Sequence, residues 1–251
     1  MRKLLLPILF LSVALAFSQA SPAPPVVTDP TQITSKQKFD IQPFTVEKLY
    51  MTHIVGDGSW SPDDKQLAFV TNISGRNNIW IVPSQGGWPT QLTVSNQRQL
   101  NIAWSPKGRW IAYNSDYDGN EQWDLFLVSA ENGQVVNLTN TPEVAEEGAA
   151  WSPDGERLAY SVKPKQSPNY EIDVIEILTK KVTHITSNTP AELSNVAAIW
   201  SHDGKSIVFT QFEAAGKDAN IFIVNSSGGR ATNLTPHQGE SNFAEIGRAH
   251  V

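Results

Sequence analysis

One phrase occurs four times in the sequence, and this repetition restricts the possible fold more than any other feature. Each copy is a short strand that ends in Trp-Ser, then a turn, then a second short apolar strand. The four tryptophans are spaced 44, 47 and 49 residues apart and are Trp60, Trp104, Trp151 and Trp200. Two more strand-like segments follow in each unit, so a unit holds four short strands and leaves no room for a long helix.

The turn after each tryptophan has a physical basis. In the copy WSPDG (151–155) the serine can bond the turn backbone, and proline fixes φ at about −65°. The glycine that follows accepts a positive φ without a steric clash. Asp64 replaces this glycine in the first unit, and aspartate tolerates the left-handed region. His202 replaces the proline in the fourth unit, where we still expect a turn.

The segment predicted to form the third strand of each unit is apolar at almost every residue. The four segments are NIWIV (78–82), DLFLV (124–128), DVIEI (173–177) and NIFIV (220–224). Such a run indicates a strand that is covered on both faces, as in sheets stacked around an axis. We therefore predict an all-β fold, a β-propeller of four-stranded blades with about four blades in an incomplete ring. A β-sandwich is the alternative, but it does not explain a tryptophan that recurs in every unit.

The segments before the repeats have signatures of their own. Residues 1–20 consist of a short basic segment, an apolar run, and small residues at an expected cleavage site. This pattern is typical of a secretory signal peptide, and the run is too short for a comfortable membrane span. Residues 21–45 are proline-rich and are predicted to be a tether, and a short helix is expected before the first blade.

The repeats are predicted to occupy residues 46–245. The expected blades lie near residues 56–93, 100–139, 147–186 and 196–235. The final residues, IGRAHV (246–251), do not continue the pattern, and their back-translation matches the start of a common sequencing adapter followed by a stop codon. We expect residues 246–251 to be an artefact and the gene to continue beyond them.

The composition excludes several classes of function. The chain has 251 residues and a formal charge of −6, and no Lys/Arg cluster alternates with aromatic residues, so no nucleic-acid surface is indicated. It has no cysteine, which excludes disulfides, thiolate metal sites and cysteine nucleophiles. We expect no cofactor, no membrane span after signal cleavage, and residence in a bacterial periplasm.

Few residues are candidates for chemistry. No Gly-x-Ser-x-Gly motif is present, so no catalytic triad can be assembled from this sequence. Asp116, Asp118 and Asn120 alternate as in a weak calcium loop, but the same residue types are typical of the turn expected there. The four repeat tryptophans are expected to pack between blades.

The segments WSPDGERLAY, NIWIVP and GGWPTQLT resemble the propeller repeats shared by TolB and by the N-terminal domain of prolyl oligopeptidase family serine peptidases. TolB has a substantial α/β domain before its propeller, whereas the lead-in at residues 44–64 is similar to the start of the peptidases. The resemblance therefore favours a secreted peptidase, which implies a peptide substrate and a propeller that restricts access. The catalytic residues would lie on an α/β-hydrolase domain missing from this chain.

Two further interpretations remain open. The main alternative is a non-enzymatic, TolB-like periplasmic propeller that mediates protein–protein interaction. A sugar-binding propeller is a third possibility, for which the sequence shows no motif.

The same resemblance makes Glu146 and Glu147 candidate substrate-binding residues. In dipeptidyl peptidases of the family a glutamate pair on the propeller holds the amino terminus of the substrate, and two carboxylates can bind an ammonium. Here the pair lies only four residues before Trp151, closer than that arrangement suggests. From the residues alone, the pair is predicted to be a solvated acidic loop between blades.

Overall fold

The computed structural model describes residues 46–213 and 215–240. Helix α1 (Val46–Tyr50) and the described strands belong to two different units of the structure, which divide after Tyr50. The short helix predicted before the repeats is present. The predicted signal peptide, the predicted tether and the last six residues lie outside the described residues. Within the described part of the chain, no helix is long and apolar enough to cross a membrane.

The described strands form four antiparallel sheets of four strands, and each sheet follows chain order. Blade 1 contains β1 (Val55–Trp60), β2 (Gln66–Thr71), β3 (Asn78–Pro83) and β4 (Thr90–Gln91). Blade 2 contains β5 (Gln99–Trp104), β6 (Trp110–Ser115), β7 (Asp124–Ser129) and β8 (Val135–Asn137). Blade 3 contains β9 (Val144–Trp151), β10 (Arg157–Pro164), β11 (Glu171–Glu176) and β12 (Val182–His184). Blade 4 contains β13 (Leu193–Trp200), β14 (Ser206–Glu213), β15 (Ala219–Asn225) and β16 (Thr232–Asn233).

The first strands of consecutive blades contact one another, β1 with β5, β5 with β9, and β9 with β13. Three apolar clusters lie between these neighbours and hold buried side chains from both blades of each pair. Four-stranded meanders that stack through their first strands are the blades of a β-propeller, so the predicted fold is confirmed.

The turn after each repeat tryptophan forms as predicted. Gly155 has a φ of 67°, and Asp64, which replaces glycine in blade 1, has a φ of 57°. In blade 4 the Gly204 N–H donates to the Ser201 carbonyl at 2.9 Å, although His202 stands where the other copies have proline. The backbone of this turn is therefore the same in all four blades, because the positive-φ residue and the closing hydrogen bond are retained.

Each first strand is also interrupted by a bulge, which the repeat pattern did not predict. Its pairing register shifts before the tryptophan in all four blades. The residue three before each tryptophan has a positive φ, and these residues are Asp57, Asn101, Gly148 and Ala197. A bulge changes the direction in which the preceding side chains point. The residue five before the tryptophan can therefore face the neighbouring blade.

The third strand of blade 3 differs from the prediction. Strand β11 begins at Glu171 rather than at Asp173, so Asp173 pairs with Tyr160 in the sheet. The equivalent position in the other blades holds an aromatic residue, as the pair of Tyr113 and Phe126 illustrates. Asp173 is nevertheless buried. The third strand predicted at residues 173–177 therefore begins two residues earlier in blade 3, and Asp173 occupies a position that is aromatic in the other blades.

Candidate functional site

The threonine after the fourth strand of blades 1, 2 and 3 links each of these blades to the next one, and we call this arrangement the interblade clamp. The threonine hydroxyl oxygen accepts a hydrogen bond from a third-strand N–H and contacts a side chain five residues before the next blade's tryptophan. The threonines are Thr93, Thr139 and Thr186, and their partners on the next blade are Gln99, Glu146 and Asn195. The Leu-Thr and Ile-Thr pairs that close blades 1, 2 and 3 therefore take part in the contact with the next blade.

Glu146 belongs to the clamp between blades 2 and 3. Thr139 Oγ1 donates to Glu146 Oε2 at 2.7 Å, and the Thr141 hydroxyl donates to Glu146 Oε1. Only 2% of Glu146 is exposed. Burial raises the pKa of its carboxyl group from 4.5 to about 7, although both threonine hydrogen bonds oppose the shift and the charges of Asp124 and Asp173 add to it.

The aspartate that replaces an aromatic residue in blade 3 lies beside Glu146. Both residues line a cavity of about 600 Å³, which also includes Tyr160 and His184. Asp173 Oδ1 lies 2.9 Å from His184 Nδ1, and burial raises the pKa of Asp173 while the His184 contact opposes the rise. Exchanging a large ring for a carboxylate leaves room that the other blades fill with an aromatic pair.

Glu147 is in a different environment, although it is the next residue. It is half-buried and its Oε1 accepts a hydrogen bond from the Tyr170 hydroxyl at 2.8 Å. The Lys163 ammonium lies 5.2 Å from the centre of the Tyr170 ring. Burial raises the pKa of Tyr170, and the hydrogen bond to Glu147 adds to the increase.

The structure therefore separates the two glutamates predicted as a pair. Both lie on strand β9 rather than in a loop between blades, so the prediction of a solvated acidic loop is wrong. Alternation along the strand and the bulge at Gly148 give the two side chains different neighbours. Glu146 is engaged by two threonines, and Glu147 is the more accessible of the two carboxylates.

The residues of the weak calcium pattern lie on the loop between β6 and β7. Asp116 is buried, and its Oδ2 lies 3.3 Å from the Arg98 guanidinium. The Asp118 N–H donates to Gln97, whereas the Asn120 side chain accepts from the backbone of its own turn. Among the described residues, no three His, Cys, Asp or Glu side chains are grouped to hold a metal ion.

The repeat tryptophans occupy related but unequal positions. The Trp151 indole donates to the Ala103 carbonyl of blade 2 at 2.9 Å, and the Trp200 indole donates to the Ala150 carbonyl of blade 3 at 3.0 Å. Trp104 instead donates within its own blade, to Gly108, and is 8% exposed. Trp60, in the first blade, is 55% exposed. Two of the four indoles thus bond directly across a blade contact.

The sequence motifs did not predict the roles of Asp173, Tyr170 and the clamp threonines. A signal for Asp173 was present, because aligning the units on their closing threonines places this aspartate where the other units have tryptophan or phenylalanine. Tyr170 had no comparable signal, since its contact with Glu147 depends on the path of the loop before β11.

Comparisons with known proteins find similar sequences or folds in two kinds of protein, peptidases and TolB-like proteins. No family model matches the chain. The chain is 27% identical over 192 residues to YuxL of Bacillus subtilis, described as an uncharacterized peptidase, and the match covers 74% of this chain and 27% of that protein. It is 34% identical over 97 residues to dipeptidyl aminopeptidase BIII of Pseudoxanthomonas mexicana, covering 37% of this chain and 14% of that enzyme. The chain thus spans about a quarter or less of the length of these relatives.

Solved structures with the same fold include propellers of both kinds. A TolB-like protein from Agrobacterium tumefaciens superposes with a TM-score of 0.60 at 22% identity and covers 75% of this chain and 68% of its own. A prolyl endopeptidase superposes with a TM-score of 0.60 at 14% identity and covers 76% of this chain and 30% of its own. The four described blades are therefore similar in sequence to part of two peptidase-named relatives, and they share the β-propeller fold with a TolB-like protein and a prolyl endopeptidase.

Proposed function

We propose that this chain is the propeller of an exported serine peptidase of the prolyl oligopeptidase type. The observation that carries the proposal is the match to a peptidase-named relative over 192 residues, which covers 27% of that longer protein. The serine, histidine and aspartate of the reaction would then belong to an α/β-hydrolase domain outside this chain. The propeller would restrict the size of peptide that reaches them.

Within this proposal, Glu147 rather than Glu146 binds the amino terminus of a peptide. Glu146 is buried and already accepts two hydroxyl hydrogen bonds, so it has little capacity for a ligand. Glu147 is half-buried on the first strand of its blade, and Tyr170 fixes one of its oxygens. A carboxylate held in this way can form a charge-assisted hydrogen bond with an ammonium group.

The complete gene and its product test the proposal. We expect a Gly-x-Ser-x-Gly motif followed by aspartate and histidine downstream of the propeller, and labelling of the full-length protein by a fluorophosphonate probe. Alanine in place of the motif serine should abolish labelling, and the present chain expressed alone should neither be labelled nor hydrolyse peptides. A gene that ends after its last blade, or a full-length protein without labelling, would contradict the proposal.

The role of Glu147 is tested in the same full-length enzyme. Glu147→Gln should raise KM for peptides with a free amino terminus and leave KM unchanged for the same peptides after acetylation, because only the former carry an ammonium. Glu156→Gln removes an exposed glutamate from a turn and serves as the matched control. An equal effect of Glu147→Gln on both peptide forms would show that Glu147 does not bind the amino terminus.

A TolB-like binding protein is the second candidate function. It is favoured by one observation, since the chain covers 68% of the TolB-like structure but only 30% of the prolyl endopeptidase. A full-length protein that lacks hydrolase labelling but captures a defined periplasmic partner would support this function over the first.

Export is part of both candidate functions. The sequence of residues 1–20 supports transport across the inner membrane and cleavage after Ala20. Expression in a Gram-negative host, osmotic release of the periplasm and N-terminal sequencing test it. A mature chain that begins at Ser21 is expected, and a cytoplasmic product that retains Met1 would contradict export.

A further inference from the structure

The three described contacts between neighbouring blades use the same clamp but differ in charge. In each, a threonine lies between the first residue of a third strand and a first-strand residue of the next blade. The three sets are Asn78, Thr93 and Gln99; Asp124, Thr139 and Glu146; and Glu171, Thr186 and Asn195. Among these contacts, the one between blades 2 and 3 alone brings two carboxyl groups to the same threonine.

The two carboxyl groups compete for the same donors. Thr139 Oγ1 lies 2.7 Å from Glu146 and 3.4 Å from Asp124, and the Thr141 hydroxyl also lies 3.4 Å from Asp124 while it donates to Glu146. Each hydroxyl has a single proton to donate. Asp124 also accepts from the Asn137 side chain at 2.7 Å and from the Thr141 N–H at 2.8 Å. An ionised Glu146 therefore depends on two hydroxyl protons that Asp124 also approaches, whereas a protonated Glu146 brings a proton of its own.

The surroundings of Glu146 contain more acids than bases. Asp124 on β7 and Asp173 on β11 are acidic neighbours, and Tyr160 on β10 is buried in the same region. His184 on β12 is bound to Asp173, and Lys180 lines the shared cavity while its ammonium donates to a backbone carbonyl. The closest charges thus oppose ionisation of Glu146, and no described ion pair compensates it.

We propose that the contact between blades 2 and 3 is pH-sensitive, so that it loosens when Glu146 loses its proton while the contact between blades 1 and 2 does not respond. The direction of this pH dependence follows from the burial of Glu146 among acidic groups. The pKa of folded Glu146 is about 7 and the ordinary value is 4.5, so the folded state retains the proton over this range. The stabilisation is complete at acidic pH, is lost as the pH rises toward 7, and changes little above it.

The neighbouring blade contact supplies a matched control. Gln99 holds the same place in the contact between blades 1 and 2, where its partners Asn78 and Thr93 are uncharged. Glutamine has nearly the shape of glutamate but does not titrate. Glu146→Gln should therefore remove the pH response from one contact, and Asn78→Asp combined with Gln99→Glu should introduce one into the other, because the double variant gives Thr93 two carboxyl partners.

Hydrogen exchange measured on the purified chain at about pH 5 and about pH 8 tests the proposal, after correction for the intrinsic pH dependence of exchange. The Leu125 and Glu146 amides report on the contact between blades 2 and 3, and the Ile79 amide reports on the contact between blades 1 and 2. Local opening at the first pair of amides should increase at least about tenfold at the higher pH, with little change at Ile79.

Three variants decide which group is responsible. Glu146→Gln should abolish the increase, His184→Gln should preserve it, and the double variant Asn78→Asp/Gln99→Glu should produce a new increase at Ile79. An unchanged response in Glu146→Gln, or its loss in His184→Gln, would overturn the proposal. If Glu146→Gln does not fold, the double variant Asn78→Asp/Gln99→Glu still decides, because it places two carboxyl groups at Thr93 and the absence of a new response at Ile79 would contradict the mechanism.

Discussion

Replacing Trp200 with phenylalanine removes one hydrogen bond and part of a ring from the contact between blades 3 and 4. The Trp200 indole donates to the Ala150 carbonyl at 3.0 Å, and the Arg157 guanidinium lies 4.5 Å from the ring centre. The ring itself packs against the buried cluster between these two blades. Phenylalanine retains the packing position but has no donor.

The expected cost can be estimated from these contacts. Loss of the hydrogen bond contributes about 1 kcal/mol, and the weaker cation–π contact contributes about 0.5 kcal/mol. The smaller ring loses roughly one further kcal/mol of apolar burial. Trp200→Phe should therefore lower the free energy of unfolding by about 2–3 kcal/mol and Tm by about 5–10 °C.

Trp60→Phe is the matched control, because Trp60 has the same repeat position but is 55% exposed. We expect it to change the free energy of unfolding by less than about 0.5 kcal/mol. Urea unfolding followed by far-UV circular dichroism measures both variants without relying on tryptophan fluorescence. Equal costs for the two substitutions would refute the conclusion that the bond across the blade contact is what makes the repeated indole stabilising.

Three further substitutions test other features of the blades. Asp173→Phe should raise the free energy of unfolding by about 1–3 kcal/mol, because it fills the cavity and restores an aromatic partner for Tyr160. Gly133→Ala should lower it by more than about 2 kcal/mol, since φ is 71° and the new Cβ would lie 2.9 Å from the Leu92 carbonyl oxygen. Ala197→Gly should raise it by about 0.5–1 kcal/mol, because alanine is strained at a φ of 54°.

The same urea titrations measure these three variants, and each has an outcome that contradicts its reason. Asp173→Leu is a control for ring stacking and should stabilise less than Asp173→Phe. Gly119→Ala has a similar φ of 73° but meets no atom within 4 Å, so it should cost less than Gly133→Ala. Loss of stability in Ala197→Gly would mean that backbone strain at the bulge is smaller than the entropy that glycine adds to the unfolded chain.

The repeat alone predicted much of the architecture. Four copies of one phrase predicted four-stranded blades, and the structure confirms both the strand order and the turn geometry at Asp64 and Gly155. These features depend on residues close together in the chain, through turn chemistry and strand periodicity. The propeller-type relatives confirm the fold.

The environment of the candidate site was not predictable in the same way. Glu146 and Glu147 are neighbours in sequence, yet one is held by Thr139 and Thr141 and the other by Tyr170. The bulge near Gly148 and the packing against the preceding blade decide which side chain is buried. The residues next to Glu146 and Glu147 in the sequence do not predict these contacts.

The amino-acid sequence by itself predicted the period of the repeat, the turn after each repeat tryptophan and the order of the strands. Each of these features depends on interactions between residues that are close together in the chain. The burial of Glu146 between two blades, and the cavity that Asp173 borders beside it, arose only when the blades packed together. The physical reason is that the cost of burying a carboxyl group depends on donors and charges brought together from separate strands, and only the folded chain assembles them.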